Sequence, residues 1–381
     1  MFTDIHFGVK GNSPLRQKMC AMTVKCIVDE MKKQSIKNVV FCGDFFHQRN
    51  ALTIDTLNIA HRCLKAIASL ADVYMILGNH DLFNKNTVDI NSISIFKDNP
   101  RVHVIDCTTE AVVNGRDAVM IPWLGDVSKL KKSSYSYVFG HFDISSRFIA
   151  QSYIDSNTKR AEASQSMSDE LESDLGSHVK LEEDESVTNF VDLAAADGTL
   201  FAGHIHQHKE MVIKGRKFIF VGSPCQQTTA DTGYDTGFYV IKADGSCKFH
   251  KIDSVPKHVK IRCSDIIEKG IDKFDFSPVA GNIVQKVYDI DISLNDDLEI
   301  SKKISSAMPY EELLPDYQVS LDMSNSIEDE DDIVKTLKKS KLDYIKSYID
   351  RLDNKALEED GIDKAKLFAV LKKYYSQVEK D

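Results

Sequence analysis

Apolar and polar positions alternate along this chain in two periods, and the switch between them marks the elements. Met19, Met22, Val24, Ile27, Val28 and Met31 recur near helical spacing and predict a helix over Leu15–Gln34, with a second over Ile54–Leu70. Short apolar runs predict strands at Lys37–Cys42, Asp72–Leu77, Ala118–Pro122, Tyr135–Gly140, Thr199–Gly203, Lys217–Gly222 and Gly237–Ile241. Strands alternating with helices predict an α/β domain built on central sheets over residues 1–254. Only Met1, Phe2 and Thr3 precede Asp4, so the first strand is very short or the true start lies upstream.

The pattern breaks twice. Residues 155–187 carry ten Asp/Glu against three Lys/Arg and few large apolar groups, which predicts an exposed or disordered acidic insertion. From Val255 the character changes: Lys257–Cys263 and Ile283–Ile292 predict strands of a small α+β unit over 255–323. Ser324–Asp332 is an acidic linker, and 333–381 reads as a helical tail. Its stripes, Leu342, Ile345, Ile349 and Leu352, then Leu367, Leu371, Tyr374 and Val378, would meet a partner surface or fold back on the body.

Composition narrows the class. A chain of 381 residues suggests two or three domains, and 42% hydrophobic content supports a real core. A net charge of −10 argues against a broadly basic nucleic-acid binder, although bound divalent metals would add positive charge that the count omits. Eight scattered cysteines without a CxxC pair read as free thiols of a reducing compartment. No signal peptide or long apolar stretch is present, so a soluble, cytoplasmic protein without membrane contact is expected.

The candidate chemistry sits where the runs end. Asp4-x-His6, Gly43-Asp44-x-x-His47, Gly78-Asn79-His80-Asp81, Gly140-His141 and Gly203-His204-x-His206 each follow an apolar run. A lone histidine at a strand end is usually structural, but five such motifs in order, holding six of the twelve histidines, point to one site. Ligands at the ends of adjacent strands converge on one sheet edge. Two Asp, one Asn and four His suffice for two metal ions if one carboxylate bridges them, and mixed N/O donors suit Mn, Fe or Zn better than Mg or Ca. His208 reads as a surface residue and Trp123 as core, while Gly222 and Pro224 mark a turn. Arg49, Lys85 and Lys10 lie in loops beside these motifs, where they could meet phosphates or be plain surface charges.

This motif order resembles the calcineurin-like metallophosphoesterases. Asp4-Ile5-His6-Phe7-Gly8, Gly43-Asp44-Phe45-Phe46-His47, Ile121-Pro122-Trp123-Leu124 and Gly222-Ser223-Pro224 with Gln226 are similar to the SbcD-type nucleases of double-strand-break repair, among them the nuclease subunits of T4-type phage recombination endonucleases. The resemblance implies a sandwich of two central mixed sheets flanked by helices, with a small α+β capping domain and a helical tail. It implies that Asp4, His6 and His206 hold one metal, that Asn79, His141 and His204 hold a second, and that Asp44 bridges them. His80 would act on the substrate phosphate and the leaving oxygen, with Asp81 orienting it, and His47 would contact the phosphate or support the site from behind. Two Mn²⁺ ions, DNA as substrate, a homodimer, and an SMC-like (SbcC-type) ATPase gripped by 333–381 follow from the same likeness, as does a viral source. This chain shows no phosphate-binding Gly-x-x-x-x-Gly-Lys-[Ser/Thr] loop of its own. Two other readings use the same residues: a stand-alone metallophosphoesterase acting on phosphoproteins or cyclic nucleotides, and a non-catalytic scaffold for the ATPase, should the short first strand misplace Asp4 and His6.

Overall fold

Helix α1 (Pro14–Gln34) begins with proline at its first turn, carries Lys32 and Lys33 in its last, and stops where Ser35 turns left-handed. Helix α2 (Ile54–Ala68) is capped by Thr53, whose hydroxyl accepts the Thr56 N–H at 3.2 Å. Both lay their apolar faces on a parallel sheet of β1 (Asn38–Phe41), β2 (Asp72–Ile76) and β3 (Val102–Ile105). These are features of a computed structural model that describes residues 1–131, 135–142, 198–213 and 216–318, with Lys364 and Phe368. The acidic insertion expected at 155–187, the linker at 324–332 and the tail at 333–381 expected to bind a partner lie outside the described residues, those last two residues apart.

The N-terminal segment completes the edge of this sheet without forming a regular strand. Phe2 N donates to Val40 O (3.2 Å), Asp4 N to Gly43 O (2.9 Å), His6 N to Asp44 O (3.1 Å) and Phe7 N to Phe45 O (2.9 Å). On its other side, Tyr239 N donates to Met1 O at 2.9 Å, from the hairpin of β10 (Gly237–Ile241) and β11 (Cys247–Lys251). Asp4 and His6 are therefore held in register with the Asp44 loop despite the short run before them.

The second sheet is mixed, in the order β4 (Thr109–Val113), β5 (Arg116–Ile121), β6 (Tyr137–His141), β7 (Thr199–Gly203), β9 (Arg216–Phe220) and β8 (Lys209–Ile213). Val40, Ile76 and Ile105 of the first sheet pack with Met120, Phe139, Phe201 and Ile219 of the second, and form the core of the sandwich. Val119, Ile121, Val138, Leu200 and Phe218, on the opposite face of the second sheet, bury against a separate apolar cluster. Register matters for the site: Ile121 pairs with Gly140, and His141 with Gly203, so the ends of β5, β6 and β7 are level.

Strands β12 (His258–Arg262), β13 (Ile283–Tyr288), β14 (Glu311–Glu312) and β15 (Asp316–Tyr317) form a parallel sheet with helices α3 (Cys263–Lys269) and α4 (Leu294–Ser306) around their own apolar cluster. Residues Met1–Tyr317 form one compact unit. Inside it, buried Arg16 of α1 reaches this sheet, with Nε 2.9 Å from Glu311 Oε2 and Nη1 3.1 Å from His258 Nε2. The eight cysteines are all free. Among the described residues no helix is long and apolar enough to cross a membrane.

Candidate metal centre

The site-bearing residues occupy tight turns. Asp4 (φ 51°), His6 (φ 50°), Asp44 (φ 60°) and His204 (φ 86°) all adopt left-handed backbone, which non-glycine residues seldom do. The packing around them is as close. A Cβ on Gly43 (φ 99°) would strike the His141 ring, and one on Gly78 would overlap the Asp44 carboxylate. These turns bring Asp4, His6 and His206 together as one group of metal-binding atoms, and Asp44, His141 and His204 as another.

In the first group, His6 Nε2 lies 3.1 Å from His206 Nε2, and Asp4 Oδ1 lies 3.8 and 3.9 Å from the same two nitrogens. Asp4 Oδ2 is satisfied by the Thr3 hydroxyl (2.6 Å) and the His204 N–H (3.1 Å), whereas Oδ1 is buried with no partner. In the second group, His141 Nδ1 donates to Cys42 O at 2.8 Å, which leaves Nε2 facing inward. Asn79 Oδ1 lies 2.9 Å from that Nε2 and 3.1 Å from His204 Nδ1. With the amide reversed, Asn79 Nδ2 would donate to both rings and to Asp44 Oδ2 (3.3 Å), and its oxygen would accept from Arg49 Nη2 (3.3 Å). The oxygen-inward orientation is the one a cation selects.

Asp44 joins the groups through a single oxygen. Oδ2 lies 3.6 Å from His6 Nε2 and 3.5 Å from His141 Nε2, while Oδ1 accepts the His80 N–H at 2.8 Å. Oδ2 is therefore the oxygen that would bridge two ions, because the second carboxylate oxygen fixes the His80 turn. An orphaned buried carboxylate oxygen, inward-facing imidazole nitrogens and an amide group aimed at the same space form a donor set that fits two borderline divalent ions.

Electrostatics agree with that fit. Burial pushes the Asp4 carboxyl up, and the Asp44 charge adds to it. Against the burial of its ring, His141 is raised to about 9 by Asp44; against its own burial, His206 is raised to about 9 by Asp231 and Asp4. Burial lowers His204 to about 3 and His47 to about 4, and holds His6 well below the usual range.

His80 and His47 flank the groups. The His80 ring stands edge-on to His6 with centroids 4.9 Å apart, and stacks on His47 at 5.2 Å. His80 Nδ1 donates to the His47 carbonyl at 2.8 Å, leaving Nε2 available. Asp81 does not orient it, contrary to the sequence expectation. The buried Asp81 carboxylate accepts the N–H groups of Asp44 (2.9 Å), Phe45 (3.0 Å), Phe46 (3.2 Å) and Gly78 (3.0 Å), so it staples the two ligand loops together. Burial and the Asp44 charge push it up to about 7.

Among the weaker candidates, Arg49 reaches Asn79, whereas Lys10, in the helical turn Val9–Asn12 rather than a loop, and Lys85, on its loop, are exposed. His208 is half-buried rather than a surface residue: Nδ1 bonds Phe220 O at 3.1 Å and the ring stacks on Phe249 at 3.9 Å. Trp123 is buried, as expected, and walls the second group, 5.9 Å from the His141 ring and 5.2 Å from that of His204.

Three supporting residues escaped the sequence reading. Ser223 Oγ donates to Asp4 O at 2.9 Å, Gln227 Nε2 donates to Ile5 O at 3.1 Å, and Asp231 Oδ1 lies 3.5 Å from His206 Nδ1. The Gly222-Ser223-Pro224 turn was the available signal, and its partners are more than two hundred residues away for Asp4 and Ile5.

Two comparisons bear on this geometry. The family model for calcineurin-like phosphoesterases matches residues 1–208, a span that contains all seven expected ligands. Exonuclease subunit 1 of Enterobacteria phage T4 is 29% identical over 149 residues, which cover 37% of this chain and 44% of that protein. The chain thus spans less than half the length of this relative.

Proposed function

The chain belongs to the calcineurin-like phosphoesterases, and on that premise we propose that it is a two-metal DNA nuclease. The observation that carries this reading is the placement of His80: its ring lies edge-on to His6 and its backbone N–H is bonded to Asp44, with Nε2 unused. Asp4, His6 and His206 would hold one ion, and Asn79, His141 and His204 the other, with Asp44 Oδ2 between. When bound, such a pair supplies Lewis-acid charge and a water nucleophile at neutral pH. Mn²⁺ suits the mixed nitrogen and oxygen donors.

The protein's own groups supply the rest. The His47 carbonyl fixes the His80 ring so that Nε2 faces the substrate, where it hands a proton to the departing 3′ oxygen. His47 stacks behind it, and burial keeps it neutral. In this reading duplex ends are digested exonucleolytically and single strands endonucleolytically. The unit at 255–323 presents DNA, Lys10, Lys85 and Arg49 meet its phosphates, and two copies pair through the phosphoesterase domain. The tail at 333–381 grips an SMC-like ATPase. The exonuclease name of the phage relative and the motif likeness support these finer statements.

The test is degradation of end-labelled duplex DNA with Mn²⁺, Mg²⁺ or EDTA, wild type beside His80→Ala. We expect Mn²⁺-dependent cleavage that falls by roughly 10²–10⁴-fold in the variant while bound metal stays unchanged. Hydrolysis of a small phosphodiester without any of DNA would overturn the nuclease reading.

A further inference from the structure

We infer that Gln226 is a positioning residue for the first donor group, and that the sheet of β12–β15, pinned through Arg16, sets where that group stands; the inference rests on the two-metal reading above. The segment from Ser223 to Asp231 has two sides. One side holds the ligands. Gln227 Nε2 donates to Ile5 O at 3.1 Å, between Asp4 and His6. Asp231 Oδ1 faces His206 Nδ1 at 3.5 Å, while its Oδ2 accepts the Gln227 N–H at 2.7 Å and the Thr228 N–H at 2.9 Å. The other side meets β12. There Gln226 Oε1 accepts the His258 N–H at 2.6 Å, and Gln226 Nε2 donates to Tyr234 O at 3.3 Å. Gln226 and His258 are both buried, so losing this bond leaves a backbone N–H without water to replace its acceptor.

Arg16 fixes β12 from behind. Its wholly buried guanidinium meets Glu311 of β14, Nε to Oε2 2.9 Å, and His258 of β12, Nη1 to Nε2 3.1 Å. A guanidinium can only donate, so His258 Nε2 accepts and the ring is neutral; burial and the Arg16 charge lower it to about 4. Beside this contact, Tyr310 Oη donates to Leu15 O at 2.6 Å. Four residues further along α1, Cys20 Sγ donates to Ile5 O at 3.3 Å. One helix thus touches both the ligand segment and the sheet, and Gln226 closes the circuit between them. Removing one partner of a buried ion pair strands the other, so such a pair fixes geometry even where it adds little net stability.

The second donor group is tied elsewhere, through His141 Nδ1 to Cys42 O. Seating of the β12–β15 sheet and retention of one ion of the two therefore form a single linked equilibrium, and linkage makes the effect reciprocal. The sheet then has a role besides presenting DNA: it sets the affinity of the first group for its ion. The experiment uses the full chain and Mn²⁺, and compares wild type with Gln226→Met, Arg16→Met and Glu311→Gln. It reads a two-site Mn²⁺ titration, and hydrogen exchange by mass spectrometry at β12 and β4 with Mn²⁺ or with chelator.

We expect Gln226→Met to weaken one Mn²⁺ on the order of 10-fold and to leave the other unchanged. Arg16→Met and Glu311→Gln should weaken the same ion by less. Where Arg16→Met fails to fold, Glu311→Gln tests the same contact from its outer end, where the side chain is 19% exposed. In wild type, Mn²⁺ should slow exchange at β12 on the order of 10-fold while β4, at the far edge of the second sheet, is unaffected. Gln226→Met should abolish that slowing. Unchanged affinity for both ions would overturn the inference, as would equal weakening of both, which marks a plain loss of stability. Exchange at β12 that is indifferent to Mn²⁺ would also overturn it. A wild type that binds no ions would sink it together with the two-metal reading. These readouts use neither DNA nor turnover, so a chain that binds two ions and cleaves no DNA would sink the nuclease reading and leave this test decisive.

Discussion

The two donor groups share one oxygen but are built in different ways. The second stands on the sheet: His141 ends β6, is 1% exposed, and has its outer nitrogen tied to a backbone carbonyl under the Trp123 wall. The first stands on loops: Asp4 and His6 come from a segment with only isolated bridges, and the His206 side chain is 25% exposed. Its backbone is held by the Asp44 loop and by Ser223 and Gln227 of a distant segment, where Asp231 also meets the outer ring nitrogen of His206. Sheet-borne ligands are positioned by the core, and loop-borne ligands by a few hydrogen bonds. The first group is therefore the labile half of the centre.

The strongest way to break the contrast is to remove what the halves share. Asp44→Asn puts an N–H₂ donor where Oδ2 faces His6 and His141, and metal per chain after gel filtration should drop from about two to below one, with no measurable hydrolysis. Retention of one tight ion would show that the groups do not depend on a common carboxylate. A narrower cut is Asp231→Asn, which weakens the anchor of His206 alone. One ion of the two should bind roughly 10–100-fold more weakly while the other is unaffected. Equal weakening of both in a two-site titration would refute the separate construction.

The smallest effect is in protons, one from each half. His206 and His141, each raised to about 9, are protonated at pH 7 without metal, and each must lose that proton to offer a lone pair. Metal binding at pH 7 should therefore release about two protons, and apparent affinity should rise with pH and level off above about 9. Calorimetry in two buffers of different ionisation enthalpy measures the count. Zero release would mean that the rings are already neutral.

What the sequence disclosed follows the same division. Helices α1 and α2 and the buried strands β1, β2, β5, β6, β7, β9 and β10 lie where the apolar runs predict, because each is covered by the core. Strand β8 (Lys209–Ile213) lies at one edge of the second sheet and β4 at the other, while β11 is the outer strand of its hairpin. These strands, with the polar-interrupted Val102–Ile105 of β3, mix charged and apolar residues and gave no run to detect. At the centre, the candidate donors were legible because each follows an apolar run that ends at the site. Asp81 was misread because adjacency to His80 suggested a partner, whereas four backbone amides from two loops claim its carboxylate. Asp231 could not be read at all, since nothing near it in the chain signals His206.

The left-handed backbone at Asp4, His6, Asp44 and His204 carries a consequence for the life of the protein outside its reaction. Each such turn disfavours folding by about 1 kcal/mol, and two buried carboxylates lie beside them. Each ion held at about 100 times its dissociation constant would return about 2.7 kcal/mol. Supply of metal should then govern how much of the chain survives proteolysis, so that starvation lowers abundance as well as turnover. Asp4→Asn gives the sign: its amide can donate where Oδ1 stands unpartnered, so the melting temperature should rise in chelator and fall below wild type in excess Mn²⁺. A shift of the same sign in both conditions would uncouple persistence from metal supply.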